Sequence, residues 1–152
     1  MTVKMFVLSA PKRKPNFKKM ASRTQLLESL RLWYQAWNAH DLDGVLKLIH
    51  EDILFVNWDG TKIIGKKMLQ KAWTPWFKNH GGFQFIEEET FIDEIDQKAL
   101  FRWILDWPCR LEKYTGLREV RAGTDILHFK AGKIIKKFTY TRTDLTRNKI
   151  VN

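Results

Sequence analysis

The sequence has little of what disulfide-rich, metal-binding or membrane-spanning proteins need. Its 152 residues include a single cysteine, Cys109. That count excludes an internal disulfide framework and a cysteine-rich metal site, and it favours a reducing compartment, the cytoplasm. No apolar run approaches the roughly 18 residues of a membrane-spanning helix. Apolar residues still make up 44% of the chain and aromatic residues 13%, so the composition excludes disorder and predicts a single domain with a substantial core.

Acidic residues are absent from the first 23 positions, which hold seven lysines and arginines. This segment carries most of the net charge of +10, whereas residues 24–146 hold 18 basic and 17 acidic side chains. The positive charge is therefore concentrated in a basic N-terminal arm (residues 1–23), and the domain that follows (residues 24–146) is nearly neutral. A short C-terminal tail (residues 147–152) follows.

The basic arm has several possible roles. The cluster Lys12-Arg13-Lys14 is suited to contact with nucleic acid or an acidic membrane surface. The absence of acidic residues is typical of an organellar transit peptide, but lysine outnumbers arginine and two prolines interrupt an amphipathic helix. An extended arm without a partner is equally consistent with the composition. Met20, followed by Ala-Ser, is also a suitable natural start of the protein.

Helical patterns occupy the first half of the domain. Ser22 and Gln25 form a capping-box pattern, and the apolar residues after them recur every three or four positions as far as Trp37. Asp41 is expected to cap a short second helix that carries Val45, Leu46 and Ile49. A third helical pattern runs over residues 65–80, between a hairpin turn at Asp59-Gly60 and a glycine pair.

Strand patterns occupy the rest of the domain. A strand over 53–57 and its hairpin partner over 61–64 precede the third helix, and four long strands follow it over 83–93, 99–108, 119–130 and 133–141. In the second of these long strands, alternation of Phe101, Trp103, Leu105 and Trp107 with other residues indicates one protected face. Helices followed by an antiparallel meander predict an α+β domain, with the helices packed on one side of a strongly curved sheet.

Two separated motifs resemble the nuclear transport factor two-like superfamily, in particular its SnoaL-like and ketosteroid isomerase-like members. They are Trp37-Asn-Ala-His-Asp-Leu-Asp-Gly44, followed by Glu51-Asp52, and Gly123-Thr-Asp-Ile-Leu-His-Phe-Lys-Ala-Gly-Lys-Ile134. The resemblance implies a cystatin-like, cone-shaped fold with a deep apolar pocket between the first helix and the sheet. It also implies a homodimer formed through the outer face of the sheet. It does not select one function, because this scaffold carries enzymes, ligand carriers and assembly domains.

The resemblance places the functional residues of ketosteroid isomerases on three positions. The catalytic base falls on Asn57, which cannot accept a proton usefully near neutral pH. The oxyanion tyrosine falls on Trp33, a weaker acid, and the neighbouring Tyr34 is turned away from it by about 100° on a helix. The partner aspartic acid falls on Asp125. Only Asp125 keeps the residue type, so isomerase chemistry by that mechanism is not expected.

Asp125 is the candidate catalytic residue. It shares a strand face with Leu127 and Phe129, and the resemblance implies that its carboxyl group is directed to the apolar pocket, where lost hydration suits it to acid or base chemistry. The alternative is a structural hydrogen bond to a neighbouring group. His128 lies on the opposite face of the same strand, which argues against a His–Asp pair. The candidate ligand-binding residues are Trp33, Tyr34, Trp37, Asn57, Trp103, Leu127 and Tyr140.

No metal-ligand cluster or phosphate-binding loop is apparent in the sequence, so neither a metal nor another cofactor is expected. The leading hypothesis is a protein that binds a small hydrophobic molecule, with Asp125 as the acid/base of a cofactor-free isomerase, dehydratase or cyclase. The alternative is a non-catalytic ligand-binding or dimeric assembly module.

Overall fold

A computed structural model describes residues 20–109 and 112–142 of the chain. Most of the basic arm and all of the C-terminal tail lie outside these residues, so the proposed partners of the arm stay predictions. The first described residues belong to the packed domain. Ala21 is buried, and its backbone N–H and C=O bond the side-chain amide of Gln97 at 2.9 and 2.8 Å.

Three helices lie in the first half of the domain. They are α1 (Arg23–Asn38), α2 (Leu42–Lys47) and α3 (Lys66–Lys78). The capping box at Ser22 and Gln25 is confirmed, as is the cap on α2, where Asp41 accepts a hydrogen bond from the N–H of Gly44. None of the helices in the described part of the chain is long and apolar enough to cross a membrane.

Six strands form one sheet. They are β1 (Ile49–Val56), β2 (Lys62–Ile64), β3 (Gln84–Asp93), β4 (Lys98–Pro108), β5 (Arg118–Lys130) and β6 (Lys133–Thr141), in the spatial order β2-β1-β6-β5-β4-β3. Among these six strands of the described residues, β1 and β6 pair in parallel and the other neighbours pair antiparallel. A short 3₁₀ turn, Glu112–Tyr114, precedes β5. The α+β class is therefore confirmed.

Two details of the prediction are wrong. Ile49 begins β1 instead of ending α2, because α2 stops at Lys47. The sheet is also open and not strongly curled, with β2 and β3 as its edges. The pairing of β4 with β5 runs without irregularity from Lys98–His128 to Pro108–Arg118. This pair of long strands thus lacks a bulge at which a sharp bend would begin.

The helices cover one face of the sheet unevenly. Helix α1 packs against β3 near one edge, and α3 packs against β1 and β2 at the other. The alternation expected in β4 is confirmed, since its four inward side chains, Phe101, Trp103, Leu105 and Trp107, are all buried. The space between α1, α3 and the central strands is the place of the candidate site.

Gly123 on β5 allows the indole ring of Trp103 to approach the backbone of the strand closely. It lies opposite Trp103 in the ladder, and a Cβ atom at position 123 would overlap the six-membered ring of that indole. The indole therefore lies flat over the strand only because the glycine has no side chain.

We expect Gly123→Ala to lower the free energy of unfolding by about 1–3 kcal/mol, because the indole must leave its place. Denaturant unfolding measures this change. Trp103→Phe removes the overlapping ring, so it should cost less stability in the Gly123→Ala background than in the natural chain. Strictly additive effects of the two substitutions would contradict the packing described here.

Candidate functional site

A cavity of about 360 Å³ opens between the helices and the inner face of the sheet. We call it the aromatic cavity, because eleven aromatic side chains line it: Trp33, Tyr34, Trp37, Phe55, Trp58, Trp73, Trp76, Phe85, Phe101, Trp103 and Trp107. Asp59, Thr61 and Ala72 also line it and are exposed to solvent, so they mark its mouth. The volume is in the range of small-molecule sites.

Trp37 organises the wall of the aromatic cavity. Its ring lies 5.5 Å from that of Trp33, 5.0 Å from that of Trp73 and 4.9 Å from that of Phe77, measured between centroids. The indole nitrogens of Trp37 and Trp103 are inaccessible to solvent and have no hydrogen-bond partner among the described residues. These two side chains therefore present ring carbons, rather than N–H groups, to a ligand.

A buried polar cluster interrupts the aromatic wall. Lys137 Nζ lies 2.7 Å from Asp125 Oδ1, and the Thr139 hydroxyl donates to the same oxygen at 2.7 Å. Lys137 also donates a hydrogen bond to Thr139 Oγ1. All three side chains line the aromatic cavity, and each residue is at most 6% exposed. We call Asp125, Lys137 and Thr139 the polar cluster.

Burial governs the electrostatics of the polar cluster. Desolvation lowers the pKa of Lys137 below its ordinary value, and the Asp125 carboxylate opposes this shift in part. The ammonium nitrogen also lies 5.3 Å from the centroid of the Phe55 ring, which offers a cation–π contact. An amine in this environment gives up its proton more readily than a surface lysine does.

A β-bulge in β6 explains why Lys137 faces the cavity. Phe129 pairs with Ile134, but the preceding residue of β5, His128, pairs with Lys136, so Ile135 is an extra residue. The insertion reverses the alternation of β6 beyond Ile134. Lys137 and Thr139 are consequently buried, whereas Tyr140 is 58% exposed.

The bulge corrects the prediction for Tyr140, which lies on the outer face and does not contact the aromatic cavity. Leu127 is also corrected. It shares the inward face of β5 with Asp125, but it is fully buried in the core and does not line the cavity. Sequence reasoning missed Lys137 and Thr139, because a regular strand would have turned both of them outward.

The other predicted residues come together in one place. Trp33, Tyr34, Trp37, Asn57 and Trp103 all line the aromatic cavity, as does Asp125. Asn57 also has a role in the backbone. Its backbone N–H donates to the Thr61 carbonyl at 2.9 Å, and its carbonyl accepts from the Gly60 N–H at 3.0 Å. Asn57 thus begins the turn that carries the mouth of the cavity. His128 lies on the outer face, as expected, with its ring 5.7 Å from that of Phe138.

The hydroxyl group of Tyr34 is occupied by the backbone of edge strand β3. It donates to the Phe85 carbonyl and accepts from the Glu87 N–H at 2.8 Å. Asn38 bonds the Phe85 N–H and C=O with its side chain, at 2.7 and 2.9 Å. These bonds cover the edge strand and hold α1 against it. Tyr34 therefore offers its ring, rather than a free hydroxyl, to a ligand.

Arg121 packs against two of the aromatic rings that line the cavity. The Arg121 guanidinium lies 4.8 Å from the Trp107 ring centroid and 5.4 Å from that of Trp58. It also pairs with the buried carboxylate of Glu119. The carboxylate of Glu119 thus balances the charge of Arg121 beside the rings of Trp58 and Trp107.

A metal site has no support in the described part of the chain, where no three His, Cys, Asp or Glu side chains are placed to hold an ion. The polar cluster supplies one buried carboxylate, one amine and one hydroxyl, and Asp59 and Thr61 add polar groups at the mouth of the cavity.

The chain belongs to the SnoaL-like domain family, whose model matches residues 30–137. This span includes Asp125 and ends at Lys137. No curated protein matches the chain.

Solved structures share the fold at low sequence identity. A candidate polyketide cyclase from Pseudomonas putida is 16% identical, with a TM-score of 0.68 over 83% of this chain and 98% of that one. An LEH-like epoxide hydrolase from Mycobacterium tuberculosis is 16% identical, with a TM-score of 0.63 over 78% and 84%. A cystatin-like protein of unknown function from Methylobium petroleophilum is 15% identical, with a TM-score of 0.65 over 82% and 80%. These likenesses establish the cystatin-like fold alone.

We expect Lys137→Met to lower the free energy of unfolding by about 3–5 kcal/mol, because it leaves the buried Asp125 carboxylate without its cation. The double variant Asp125→Asn/Lys137→Met should recover most of this loss, since it removes both charges. Chemical denaturation of the three proteins tests the pair.

The exposed pair of Lys98 and Asp96 provides the matched control. Lys98→Met should cost less than about 1 kcal/mol, because water solvates both groups. Equal losses at positions 98 and 137 would show that burial does not set the strength of the Asp125–Lys137 pair.

Proposed function

We propose that this protein binds a small, largely apolar molecule in the aromatic cavity and acts on it with Asp125 as general acid or base. The observation that carries the proposal is the buried polar cluster on the wall of an otherwise aromatic cavity. Aromatic rings bind a flat apolar ligand, and a few convergent polar groups orient it. Desolvation strengthens the interactions of those groups with a reacting centre.

The arrangement of the polar cluster suggests how Asp125 would work. Lys137 and Thr139 both donate to Oδ1, so Oδ2 is the oxygen that we assign to the substrate. We assign to Oδ2 the exchange of a proton with the substrate, with Lys137 as the counter-ion of the carboxylate. Trp33 and Asn57 line the same cavity and would position the substrate. Enolisation, dehydration and aldol-type cyclisation are the reactions that such a site supports without a cofactor.

The family supports a reaction of this general kind without selecting one. Structural neighbours bear the names of a ketosteroid isomerase candidate, a polyketide cyclase candidate and an epoxide hydrolase. All of these names describe chemistry on small organic molecules. Their identity to this chain is at most 16%, so the substrate has to be found by experiment.

We expect native mass spectrometry of the purified protein to detect a retained apolar compound. Ala72→Trp should abolish its retention, because the new indole fills the mouth of the cavity. Lys71→Trp is the matched control, since residue 71 is exposed and does not line the cavity. Asp125→Asn should keep the compound bound but slow its conversion by about 100-fold or more.

Three results would contradict the proposal. In the first, the Ala72→Trp protein retains the compound to the same extent as the Lys71→Trp protein, which would place the ligand elsewhere. In the second, neither protein retains or binds any apolar compound. Asp125→Asn could convert the identified compound at the full rate, which would leave binding intact but remove Asp125 from the chemistry.

We also propose an assembly role for the outer face of the sheet. Leu100, Ile104, Ile126 and Phe138 are half-buried on this face, and Ile86 and Tyr140 are more than half exposed beside them. Apolar side chains of neighbouring strands lie in register there, as Ile86 with Ile104 and Ile126 with Phe138. Such a surface is suited to pairing with a second copy of the chain.

Light scattering measures this assembly directly. We expect the natural chain to be a dimer at micromolar concentration and Ile126→Lys to be a monomer, because the new charge would be buried at the centre of the interface. Lys130→Glu, near the exposed end of the same strand, should leave the dimer unchanged. A monomeric natural chain would reject the assembly role.

A further inference from the structure

Lys137 is more than the counter-ion of Asp125. It is buried, and its side chain lines the aromatic cavity. The other described lysines are all half-buried or exposed, so Lys137 differs from them in its surroundings. A structural ion pair could be placed anywhere in the core, whereas this one lies on the wall of a cavity that reaches solvent.

We propose that Lys137 is an amine nucleophile that forms an imine with a small apolar aldehyde or ketone bound in the aromatic cavity. This inference rests on the proposed function, because it requires the cavity to bind an apolar molecule. A lysine desolvated in a hydrophobic pocket is the form in which proteins use an amine against carbonyl compounds.

The polar cluster holds the groups that imine formation needs. Attack requires a neutral amine, and the ammonium can pass one proton to Asp125 Oδ1 across 2.7 Å. The amine nitrogen then adds to the carbonyl carbon and gives a carbinolamine. In this adduct one proton passes from the nitrogen to the oxygen, which becomes a hydroxyl group. Protonated Asp125 then gives its proton to that hydroxyl group, which leaves as water, so the product is a protonated imine beside the Asp125 carboxylate. The C=N bond forms without oxidation or reduction.

Thr139 and Asp125 also suit the product. The Thr139 hydroxyl contacts both the amine and the carboxylate, so it can relay the proton between nitrogen and oxygen. A protonated imine carries a positive charge, which the Asp125 carboxylate would balance inside the apolar cavity. The cluster therefore keeps one positive and one negative group before and after the reaction, which avoids an unpaired buried charge.

The pH dependence that we expect for reaction at Lys137 follows from the burial of its amine. Since the pKa of Lys137 is lowered, a larger share of its amine is neutral at a given pH than for an exposed lysine. The titratable groups that share the cavity wall are Asp125 on β5, Tyr34 on α1 and Asp59 at the mouth. Of these, Asp125 is the one in contact with the amine, and it opposes the shift. Reaction at Lys137 should therefore persist at lower pH than reaction at surface lysines.

Reductive trapping tests the inference on the full chain. The protein is incubated with 2-naphthaldehyde and cyanoborohydride, digested, and analysed by mass spectrometry. We expect one naphthylmethyl group on the peptide that contains Lys137. When the pH is lowered from about 8 to about 6, labelling of Lys137 should fall by a smaller factor than labelling of the exposed Lys136. Labelling spread over surface lysines, with none at Lys137, would overturn the inference.

Two variants provide controls. Lys137→Arg keeps a cation beside Asp125 but has no nucleophilic amine, so its adduct at position 137 should be lost. Lys136→Arg changes the adjacent exposed residue and should leave the adduct at Lys137 unchanged. Peptide mapping of the natural chain keeps the test valid even if Lys137→Arg does not fold.

A non-electrophilic probe separates this inference from the proposed function. Binding of 2-naphthalenemethanol, measured by quenching of tryptophan fluorescence, reports on the cavity alone. If the alcohol binds but the aldehyde is not trapped at Lys137, the imine is rejected and the proposed binding function stands. If neither compound binds, both proposals fail for flat apolar ligands.

Discussion

A buried ion pair between Lys137 and Asp125 determines which groups must surround it in the candidate site. Removing an ammonium and a carboxylate from water costs several kcal/mol per ion. The structure offsets this cost by placing the two groups 2.7 Å apart, by adding the Thr139 hydroxyl to both, and by directing the amine at the Phe55 ring. These contacts tie β5, β6 and β1 together at the aromatic cavity. Both members of the pair are buried and line the cavity.

The aromatic side chains around the polar cluster pack against one another and join the helices to the sheet. Trp37 contacts rings from α1, α3 and the start of β3, so the two helices and the sheet edge share one packed cluster. Tyr34 and Asn38 fasten α1 to the backbone of β3. The wall of the cavity is therefore packed from both sides, and the polar cluster lines the same volume.

Much of this arrangement follows from local patterns. The capping box at Ser22 defines the start of α1, and the three-and-four spacing of its apolar residues gives the face that carries Trp33 and Trp37. Strict alternation in β4 gives Trp103 and Trp107 their inward direction. The resemblance to SnoaL-like proteins placed Asp125 on the same cavity as Trp33 and Asn57. Local periodicity and two motifs were thus sufficient for the order of the elements, the α+β class and one of the three residues of the polar cluster.

The sequence by itself determined the element order, the buried faces of the helices and β4, and the inward direction of Asp125. Only the tertiary structure decided that Lys137 is the partner of Asp125. One extra residue, Ile135, separates the two registers of β6 and reverses which side chains face inward. The bulge lies in the pairing of β6 with β5, its hairpin partner, and on its other side β6 pairs with β1, which is far away along the chain. Alternation within one strand carries no record of a register that its neighbours impose.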